Sequence, residues 1–433
     1  MNTQQQFVFD KVREGRNVFL TGEPGTGKSY TVHHIIQWAM RIQKNIGVTA
    51  MTGVAAVLID GVTLHSYLGI GMGTDDIHVL VTKAFKNSKL RRKLSRLEIL
   101  IIDEISMMNH ELMAKISRFL SGVRHKDDPF GGVQLVCVGD FSQLAPCDGE
   151  YCFRGKAWKA AAFEHCILTE SVRHNDDLEF QDILKRLRWG RCSDADYERL
   201  LQLRNTRFPD NIIPTRLYSL NVDVDKINND ELAKLKNEGA RILTYRIRFP
   251  NDLSKTDIIK YSKALGINDI SLCVGCQVVL TRNLNQDIGL VNGARGVVTQ
   301  IHSEYAMIQF INKDAPERID FYKLSLTNVW EKTVIGTGYD EREVRPAEFN
   351  IYSMPLKLAW AITIHRTIGM TLDAVEIDLG NSIFADGQAY TALSRARNLR
   401  SIRLISVRKE SFKTHPDVIR FYYKLLHSST TPI

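Results

Sequence analysis

The chain has 433 residues, of which 44% are hydrophobic and 24% are charged. These values are typical of globular proteins, so they exclude a disordered, collagen-like or disulfide-stapled chain, and the length predicts roughly two to four domains. Lys and Arg together number 57 against 49 Asp and Glu, which leaves a net charge of +8. A surplus of this size is compatible with nucleic acid as a partner and equally with an ordinary basic protein.

Cysteine usage and hydropathy indicate the compartment. Seven cysteines, an odd number, are scattered along the chain, which is typical of a reduced, intracellular protein. The polar residues 1–5 are unlike a signal peptide, and no apolar run approaches the about 18 residues that span a bilayer. We therefore expect a soluble intracellular protein with no membrane partner, and we favour a monomer. Nucleus and cytoplasm both stay open.

Buried-strand patterns alternate with helical patterns in the first third of the chain. The strand-like runs are short, branched and nearly continuously apolar, and they are residues 17–21, 46–49, 99–102 and 133–138. Helical stretches such as 29–43 separate them, so a parallel sheet covered on both faces is expected. Runs of the same kind return later, at 216–219, 374–379 and 402–407. They predict a second α/β domain, and the glycine-broken strands of 272–310 predict a small antiparallel barrel inserted in it.

The segment 22–29 reads G-x-x-x-x-G-K-S between a predicted strand and a predicted helix. In that context the motif is a phosphate-binding loop, whose backbone N–H groups and helix N-terminus surround phosphate oxygens. Lys28 is expected to reach the β- and γ-phosphates, and the Ser29 hydroxyl is expected to bind Mg²⁺. The candidate nucleotide-binding residues of the loop are Gly22, Gly25, Thr26, Gly27, Lys28 and Ser29.

Two carboxylates end the buried strand at 99–102. Asp103 is expected to hold Mg²⁺, and Glu104 is expected to act as the base that orients and deprotonates the attacking water. Asp-Glu at a strand end could instead cap the next helix, but the phosphate-binding loop favours the catalytic interpretation. The pair predicts NTP hydrolysis rather than phosphoryl transfer to a second substrate.

Gln143 follows a third strand, in the segment 138–144. Its amide could sense the γ-phosphate or the attacking water. Gly139-Asp140 taken alone is turn-like, so the functional interpretation of Gln143 depends on its position beside the two other phosphate elements.

Several segments together carry a family resemblance. They include VTAMTGVAA at 48–56, GVTLHS at 61–66, DEISM at 103–107, GDFSQL at 139–144, the stretch 168–190, AWAITIHR at 359–366 and GQAYTALSRAR at 387–397. With the phosphate-binding loop, they resemble the PIF-one (petite integration frequency) DNA helicases, in the RecD-like branch of helicase superfamily one (group B), over about residues 3–407. Gln5, which precedes Lys28 by twenty-three residues, matches the adenine-reading glutamine of that family.

The resemblance implies an α/β fold with two RecA-like P-loop NTPase domains, the second of which carries a small SH3-like β-barrel insert. The implied domains are 1–165, with a small wedge-type insertion near 53–70, then 166–225 with 346–433, and the insert 226–345. ATP and Mg²⁺ are implied between the RecA-like domains. Some glycines of the insert, Gly275 and Gly296 among them, have a sufficient interpretation as barrel turns.

The resemblance also implies arginines that meet the transferring phosphoryl group. Arg395 matches the arginine finger of the last motif, and Arg173 matches the arginine of the second domain's first segment. Such a charge on the opposing domain makes hydrolysis depend on closure of the cleft. Taken alone, Arg173 would be a solvated surface residue. Gly369 is a further implied nucleotide contact.

DNA contacts are implied at five positions, which are Thr52, Gly53, His65, Thr363 and His365. Either histidine could equally be buried and hydrogen-bonded. A basic run at 83–93 is either a solvated helix or a patch facing DNA.

Two departures from the family pattern stand out. Ile368 occupies a position where the family commonly has glutamine, so an amide that could contact the γ-phosphate or DNA is absent. His174 replaces the glutamine that usually follows the signature arginine, with about one extra residue before Phe180. The first change predicts weaker coupling between ATP and DNA, and the second affects the local loop.

The implied activity is that of an ATP-dependent DNA helicase that translocates 5′→3′ on single strands and unwinds duplex DNA. The implied partners are single-stranded and tailed duplex DNA, with G-quadruplexes or RNA–DNA hybrids as further substrates. The implied roles are DNA replication, repair, recombination and telomere maintenance. Two alternatives stay open: a RecD-like translocase that unwinds poorly, and an ATP-gated nucleic-acid-binding remodeller.

Overall fold

The computed structural model describes residues 1–71, 73–170, 177–208, 214–250, 253–254, 256, 258–259, 262, 267–282, 284–285, 288, 290, 294–310, 313–329, 347–370, 372 and 374–428. The chain divides into two compact units. The first comprises Met1–Val224 and Ile362–Ile433, and the second is Asp225–Ala361.

A six-stranded parallel sheet forms the centre of the first unit, in the order β3-β2-β4-β5-β1-β6. Its strands are β1 (Val18–Gly22), β2 (Ile46–Ala50), β3 (Val62–Thr63), β4 (Ile99–Asp103), β5 (Gln134–Val138) and β6 (Glu164–Leu168). The four strands expected from the sequence are confirmed to within a residue or two. β6 pairs with β1 over its whole length, so the sheet continues to Leu168. The sequence predicts the end of the first domain at residue 165.

Helices cover both faces of this sheet. In chain order they are α1 (Thr3–Arg13), α2 (Lys28–Arg41), α3 (Gly53–Leu58), α4 (Leu64–Leu68), α5 (Ile77–Lys86), α6 (Ser88–Arg96), α7 (His110–Arg124) and α8 (Lys156–Ala161). α7 shows why they form: the Asn109 side chain accepts from the N–H of Leu112 at the N-terminus, and Met113, Ile116 and Leu120 recur at helical spacing and are buried.

A smaller sheet completes the first unit, in the order β17-β7-β18-β19, with β18 parallel to β7 and to β19. Its strands are β7 (Thr215–Tyr218), β17 (Ala361–Thr363), β18 (Val375–Leu379) and β19 (Ile402–Val407). The helices that accompany it in sequence are α9 (Leu178–Arg188), α10 (Asp194–Gln202), α12 (Gln388–Leu393) and α13 (Pro416–Ser428). α11 (Asn221–Asn237) begins in the first unit, and most of it, from Asp225 onwards, belongs to the second. The second parallel sheet expected from the sequence is thus confirmed.

α13 packs against the six-stranded sheet. Val418, Tyr422 and Leu425 are buried in one cluster with Phe19 of β1 and Phe141. α13 therefore completes the core of the first sheet. The assignment of residues 346–433 to the second RecA-like domain stays a prediction.

The second unit is built from antiparallel strands. Five of them form a sheet in the order β13-β12-β11-β10-β16, and β14 pairs with β15 and β8 with β9. Their bounds are β8 (Leu243–Tyr245), β9 (Ile270–Leu272), β10 (Gln277–Leu280), β11 (Arg295–Ile301), β12 (Tyr305–Phe310), β13 (Glu317–Asp320), β14 (Tyr322–Val329), β15 (Ala347–Ser353) and β16 (Leu356–Leu358). The expected antiparallel strands are confirmed, whereas the likeness of this unit to an SH3 barrel stays a prediction.

Residues 356–358 belong to the sheet of the second unit, which ends at Ala361, because β16 pairs with β10. The expected bounds of the insert, 226–345, stay a prediction. Gly275 does occupy a turn, with φ at +91°, but Gly296 lies inside β11. A Cβ there would lie 2.6 Å from the Gln309 carbonyl oxygen, so close approach of β12 explains this glycine.

Candidate nucleotide site and nucleic-acid contacts

The chemically active segments of the first unit leave the carboxyl ends of neighbouring parallel strands. The phosphate-binding loop follows β1, Asp103 ends β4, and Gln143 follows β5. Since β4, β5 and β1 are adjacent in the sheet, these segments converge at one edge. This is where open α/β sheets bind their ligands.

Gln5 packs against the phosphate-binding loop. Gly27 has φ at +85°, and a Cβ on it would lie 2.5 Å from Nε2 of Gln5. The Gln5 side chain is fixed from the other side, since its Oε1 accepts from the N–H of Asn2 at 3.0 Å. The loop therefore needs glycine at position 27, and the expected adenine-reading residue lies at the loop.

The Lys28 ammonium group lies inside the loop. Its Nζ donates to the carbonyl oxygens of Gly22 at 2.8 Å and Glu23 at 3.0 Å. The Thr26 hydroxyl donates to the same Glu23 carbonyl and so braces the loop. Burial lowers the pKa of Lys28 from its usual value. A buried ammonium group with only carbonyl partners would gain from a phosphate anion at this point.

Asp103 and Glu104 are carboxylates in a low-dielectric setting. Burial raises the pKa of Asp103 to about 6, and burial together with the charge of Asp103 raises that of Glu104 to about 7. Glu104 also has a left-handed backbone, with φ at +54°. A pKa near neutrality suits a general base, and backbone strain of this kind is typical of functional sites.

Arg395 reaches across to Gln143. The Arg395 side chain is only 2% exposed, and its Nη2 donates to Oε1 of Gln143 at 3.3 Å. Its remaining nitrogens donate to the carbonyl oxygens of Thr391 at 2.9 Å and Thr367 at 3.3 Å, which fix the guanidinium direction. Arg395 follows α12, so the smaller sheet contributes this charge to the edge of the larger one.

One cavity of about 250 Å³ joins these groups. Its lining residues are Pro24, Gly25, Gly27, Lys28, Ser29, Tyr30, Glu104, Gln143, Gly369 and Arg395. Eight of the expected catalytic and nucleotide-binding residues thus line one cavity. Gln5, Gly22, Thr26 and Asp103 are not among its lining residues. Arg173 lies outside the described residues.

The residues fit a magnesium nucleotide. The raised pKa values of Asp103 and Glu104 mark buried carboxylates short of positive charge, which a divalent cation would supply. In the described part of the chain no group of three or more His, Cys, Asp and Glu residues forms a metal cage. Mg²⁺ suits such a site, because it is usually held by one or two carboxylates together with phosphate oxygens. Ser29 and Asp103 would hold it.

A buried hydrogen-bond network lies beside the cavity. Arg188 Nη2 donates to Oδ1 of Asp140 at 3.1 Å, and the Tyr390 and Tyr422 hydroxyls donate to the same carboxylate at 3.4 and 3.0 Å. The Tyr422 oxygen is also 2.8 Å from the Thr21 hydroxyl. The network therefore ties β1, the segment after β5, α9, α12 and α13 together.

Sequence reasoning missed this network. The sequence alone predicts a turn at Gly139-Asp140, and it places Arg188 only within the stretch 168–190 that resembles the family. The sequence does contain a signal for Arg188. This cation lies at the end of an amphipathic helix, on the same inward face as the apolar residues Phe180 and Leu184, which indicates that its charge needs a buried partner. Tyr422 gave no comparable signal.

The expected DNA contacts of the larger sheet follow β2 and β3. The Thr52 side chain accepts from the N–H of Ala55 at 3.2 Å and so caps α3. Gly53 is exposed, and a Cβ there would meet nothing within 4 Å. His65 lies on α4, and burial lowers its pKa.

The expected contacts of the smaller sheet lie at the end of β17. Thr363 is buried, and burial lowers the pKa of the half-buried His365. Ile368 is also buried and fills the core. Gly369 has φ at +78°, and a Cβ on it would lie 2.4 Å from Cδ1 of Leu58 in α3. The segment after β17 therefore touches the helix that Thr52 caps.

The fold and the cavity together define a class. Two RecA-like domains with parallel sheets contribute to one cavity that is lined by a phosphate-binding lysine, the carboxylate Glu104, a glutamine and an opposing arginine. That is the arrangement of a P-loop NTPase of the helicase kind.

Comparisons with known proteins give the family. The family model PIF1-like helicase matches residues 1–198, and the model DNA helicase Pif1, 2B domain, matches residues 265–301. ATP-dependent DNA helicase PIF1 of Xenopus laevis is 38% identical over 98% of this chain and 64% of its own length. ATP-dependent DNA helicase Pif1 of a Psychrobacter species is 31% identical over 95% of this chain and 69% of its own length. The chain belongs to the PIF1-like helicase family.

Solved structures agree. The Pif1 helicase of Candida albicans has a TM-score of 0.85 at 29% identity and covers 98% of this chain and 99% of its own. The Bacteroides Pif1 helicase in complex with ADP-AlF3 and ssDNA has a TM-score of 0.72 at 27% identity, with 99% and 97% covered. The chain spans just under two thirds of the length of the Xenopus relative. No described helix is both long and apolar enough to cross a membrane.

Proposed function

We propose that this chain is an ATP-dependent DNA helicase that translocates 5′→3′ on single-stranded DNA and unwinds duplex DNA. The observation that carries the proposal is the shared cavity of Lys28, Glu104, Gln143 and Arg395, in which the last residue comes from the second parallel sheet. The names of the relatives support it, and so does the ssDNA and ADP-AlF3 complex of the Bacteroides protein.

The residues of the nucleotide site have separate roles in hydrolysis. Lys28 exchanges its two carbonyl partners for β- and γ-phosphate oxygens, and Gln5 contacts the adenine. Ser29 and Asp103 would hold Mg²⁺, which would neutralise phosphate charge. Glu104 accepts the proton of the attacking water, Gln143 orients that water, and Arg395 places its charge on the transferring phosphoryl oxygens.

Coupling to DNA runs through α3. Gly369 borders the cavity and packs against Leu58 at the end of α3, whose first turn is capped by Thr52. Closure of the two sheets around the nucleotide therefore pushes on a helix that begins at the proposed DNA contacts. The proposed contacts are Thr52, Gly53, His65, Thr363 and His365, with Arg173 as a second arginine at the phosphates.

The biological setting follows from the same proposal. Substrates are single-stranded and tailed duplex DNA, with G-quadruplexes and RNA–DNA hybrids as further targets, in replication, repair, recombination or telomere maintenance. All seven cysteines are free, which supports a reduced, intracellular setting. We retain two RecA-like domains, with a wedge-type insertion near 53–70, as the domain scheme, and residues 226–345 as the SH3-like insert.

A second candidate, a translocase that unwinds poorly, has one observation in its favour. Ile368 is only 2% exposed, so the position where the family commonly has an amide is apolar and internal. Neither ATP nor DNA can receive a hydrogen bond from that side chain. The coupling that such an amide provides is then absent or comes from Gln143 and Arg395.

Strand separation on two matched duplexes tests the proposal. With ATP and Mg²⁺, the 5′-tailed duplex should unwind and the 3′-tailed duplex should not, and Lys28→Ala should abolish unwinding. ATPase stimulated by single strands without unwinding of either duplex would favour the translocase. Weak stimulation together with nucleotide-dependent DNA release would favour the ATP-gated remodeller.

A further inference from the structure

The positive charge of the chain is concentrated on α5 and α6. Residues 77–97 contain seven Lys and Arg and no Asp or Glu, whereas the whole chain has a net charge of +8. All seven cations are exposed. A concentration of this kind on one helical pair is the electrostatic footprint of a polyanion site.

α6 has two opposite faces. Leu90 and Leu94 point inwards, and Leu94 is fully buried. Lys89, Arg92 and Arg96 lie three and four residues apart on the other side of the helix and are exposed. The helix is thus held by its leucines and presents a row of cations to solvent.

Some cations of the pair are engaged within the protein. Lys83 makes an ion pair of 2.7 Å with Asp75, and the Lys93 ammonium group donates to the Tyr67 carbonyl and lies 4.0 Å from the centre of the Tyr67 ring. Arg91 lies 5.7 Å from the ring centre of Phe85.

The remaining cations have no carboxylate partner among the described residues. They are Lys86, Lys89, Arg92 and Arg96, which we call the α5–α6 patch. Their mutual repulsion is therefore uncompensated in the free protein, and an external polyanion would relieve it.

The α5–α6 patch adjoins the proposed single-strand contacts. Leu90 packs on α4, where a Cβ on Gly69 would lie 2.7 Å from its Cδ2, and Lys93 contacts Tyr67 of the same helix. α4 also carries His65. The patch is thus fixed to the helix that holds one of the proposed single-strand contacts.

We propose that the α5–α6 patch binds the phosphate backbone of duplex DNA, next to the junction where the strands separate. This inference rests on the proposed helicase function. Duplex DNA is favoured over a single strand because single-strand tracks carry exposed aromatic side chains that stack on bases. Within residues 77–97 the only Phe, Tyr or Trp is Phe85, which is half-buried between Arg91 and His125.

The test compares two triple variants of the full chain with equal charge change. The patch variant is Lys89→Gln, Arg92→Gln and Arg96→Gln. The control is Arg41→Gln, Lys126→Gln and Arg204→Gln, three exposed cations elsewhere in the first unit. Binding is measured from 50 to 200 mM salt on two DNA substrates. The first is a single-stranded oligonucleotide, and the second is a duplex whose 5′ single-stranded tail has the sequence of that oligonucleotide.

We expect the patch variant to lower the slope of log affinity against log salt by about two to three on the tailed duplex. The single-strand slope and the ATPase stimulated by the oligonucleotide should not change, and the control should change neither slope. If the slope on the tailed duplex does not change, or if the slope on the single strand falls by the same amount, the α5–α6 patch is not a duplex-binding site. A wild-type protein without DNA-stimulated ATPase would contradict the proposed function itself, which distinguishes the two failures.

Discussion

Asp140 and Arg188 form a buried ion pair, with Arg188 Nη2 3.1 Å from Asp140 Oδ1. Burial acts to raise the pKa of Asp140, but the Arg188 guanidinium overrides it, so the carboxyl stays below its ordinary value. The charge is satisfied further by the hydroxyl of Tyr422. Because the segment after Asp140 carries Gln143, this pair fixes one wall of the nucleotide cavity.

We expect Arg188→Met to lower the free energy of unfolding by about 3–5 kcal/mol, because it leaves the Asp140 charge buried without its partner. Denaturant unfolding at pH 7.5 measures this. Arg199→Met is the control, since Arg199 pairs with Glu179 at 2.7 Å on the surface, and it should cost less than about 1 kcal/mol. Equal costs for the two variants would contradict the role given to the buried pair.

The same variant should show a pH dependence. In the wild type the lowered pKa of Asp140 contributes stability above its unfolded value of about 3.9, and this is lost as the pH falls through the folded pKa. In Arg188→Met, burial raises that pKa instead, so Asp140 takes up a proton more readily. The stability gap should therefore be smaller at pH 5 than at pH 7.5. A gap that widens towards acid would contradict this account.

Tyr422 acts as a positioning residue through its hydroxyl, which accepts from the Phe141 N–H at 2.9 Å and contacts Thr21 and Asp140. Tyr422→Phe should lower kcat for ATP with a smaller change in KM, because the segment carrying Gln143 loses its anchor while the phosphate-binding loop stays. Tyr423→Phe, the exposed neighbour on the same helix, should leave both unchanged. If Tyr422→Phe lowers the free energy of unfolding but leaves kcat unchanged, the Tyr422 hydroxyl has a purely structural role.

Glu104→Gln should keep ATP binding and lower kcat by about 10²–10⁴, the usual contribution of a general base. The measurement is single-turnover hydrolysis alongside a nucleotide-binding titration. Glu111→Gln, an exposed change in the first turn of α7, should behave as the wild type. Hydrolysis that survives in Glu104→Gln would move the base to another residue.

Arg395→Ala should bind ATP but lose about 10³–10⁵ in rate, because no other described arginine lines the cavity. Arg397→Ala removes an exposed arginine two residues away and should have little effect on hydrolysis. An ATPase rate unchanged by Arg395→Ala would remove its role as an arginine finger.

The sequence predicts the parts of the site that consist of short motifs of neighbouring residues. The phosphate-binding loop, Asp103-Glu104 and Gln143 each follow a buried apolar run, and parallel strands bring such ends together by geometry alone. The network around Asp140 was not readable, because Tyr422 is 282 positions away along the chain. The pairing of β16 with β10 was not readable for a related reason, because the residues of β16 give no signal of a partner that lies far away along the chain.

The position of α13 bears on how the protein is made. Val418, Tyr422 and Leu425 complete the core of a sheet whose last strand, β6, ends at Leu168. During synthesis at about 5–20 residues per second, the ribosome therefore delivers this helix on the order of tens of seconds after the sheet. Throughout that interval the apolar cluster around Phe19 and Phe141 lacks Val418, Tyr422 and Leu425 and is covered only by earlier segments such as the one that carries Trp158. We therefore expect part of this face to stay exposed on the nascent chain until α13 has been translated.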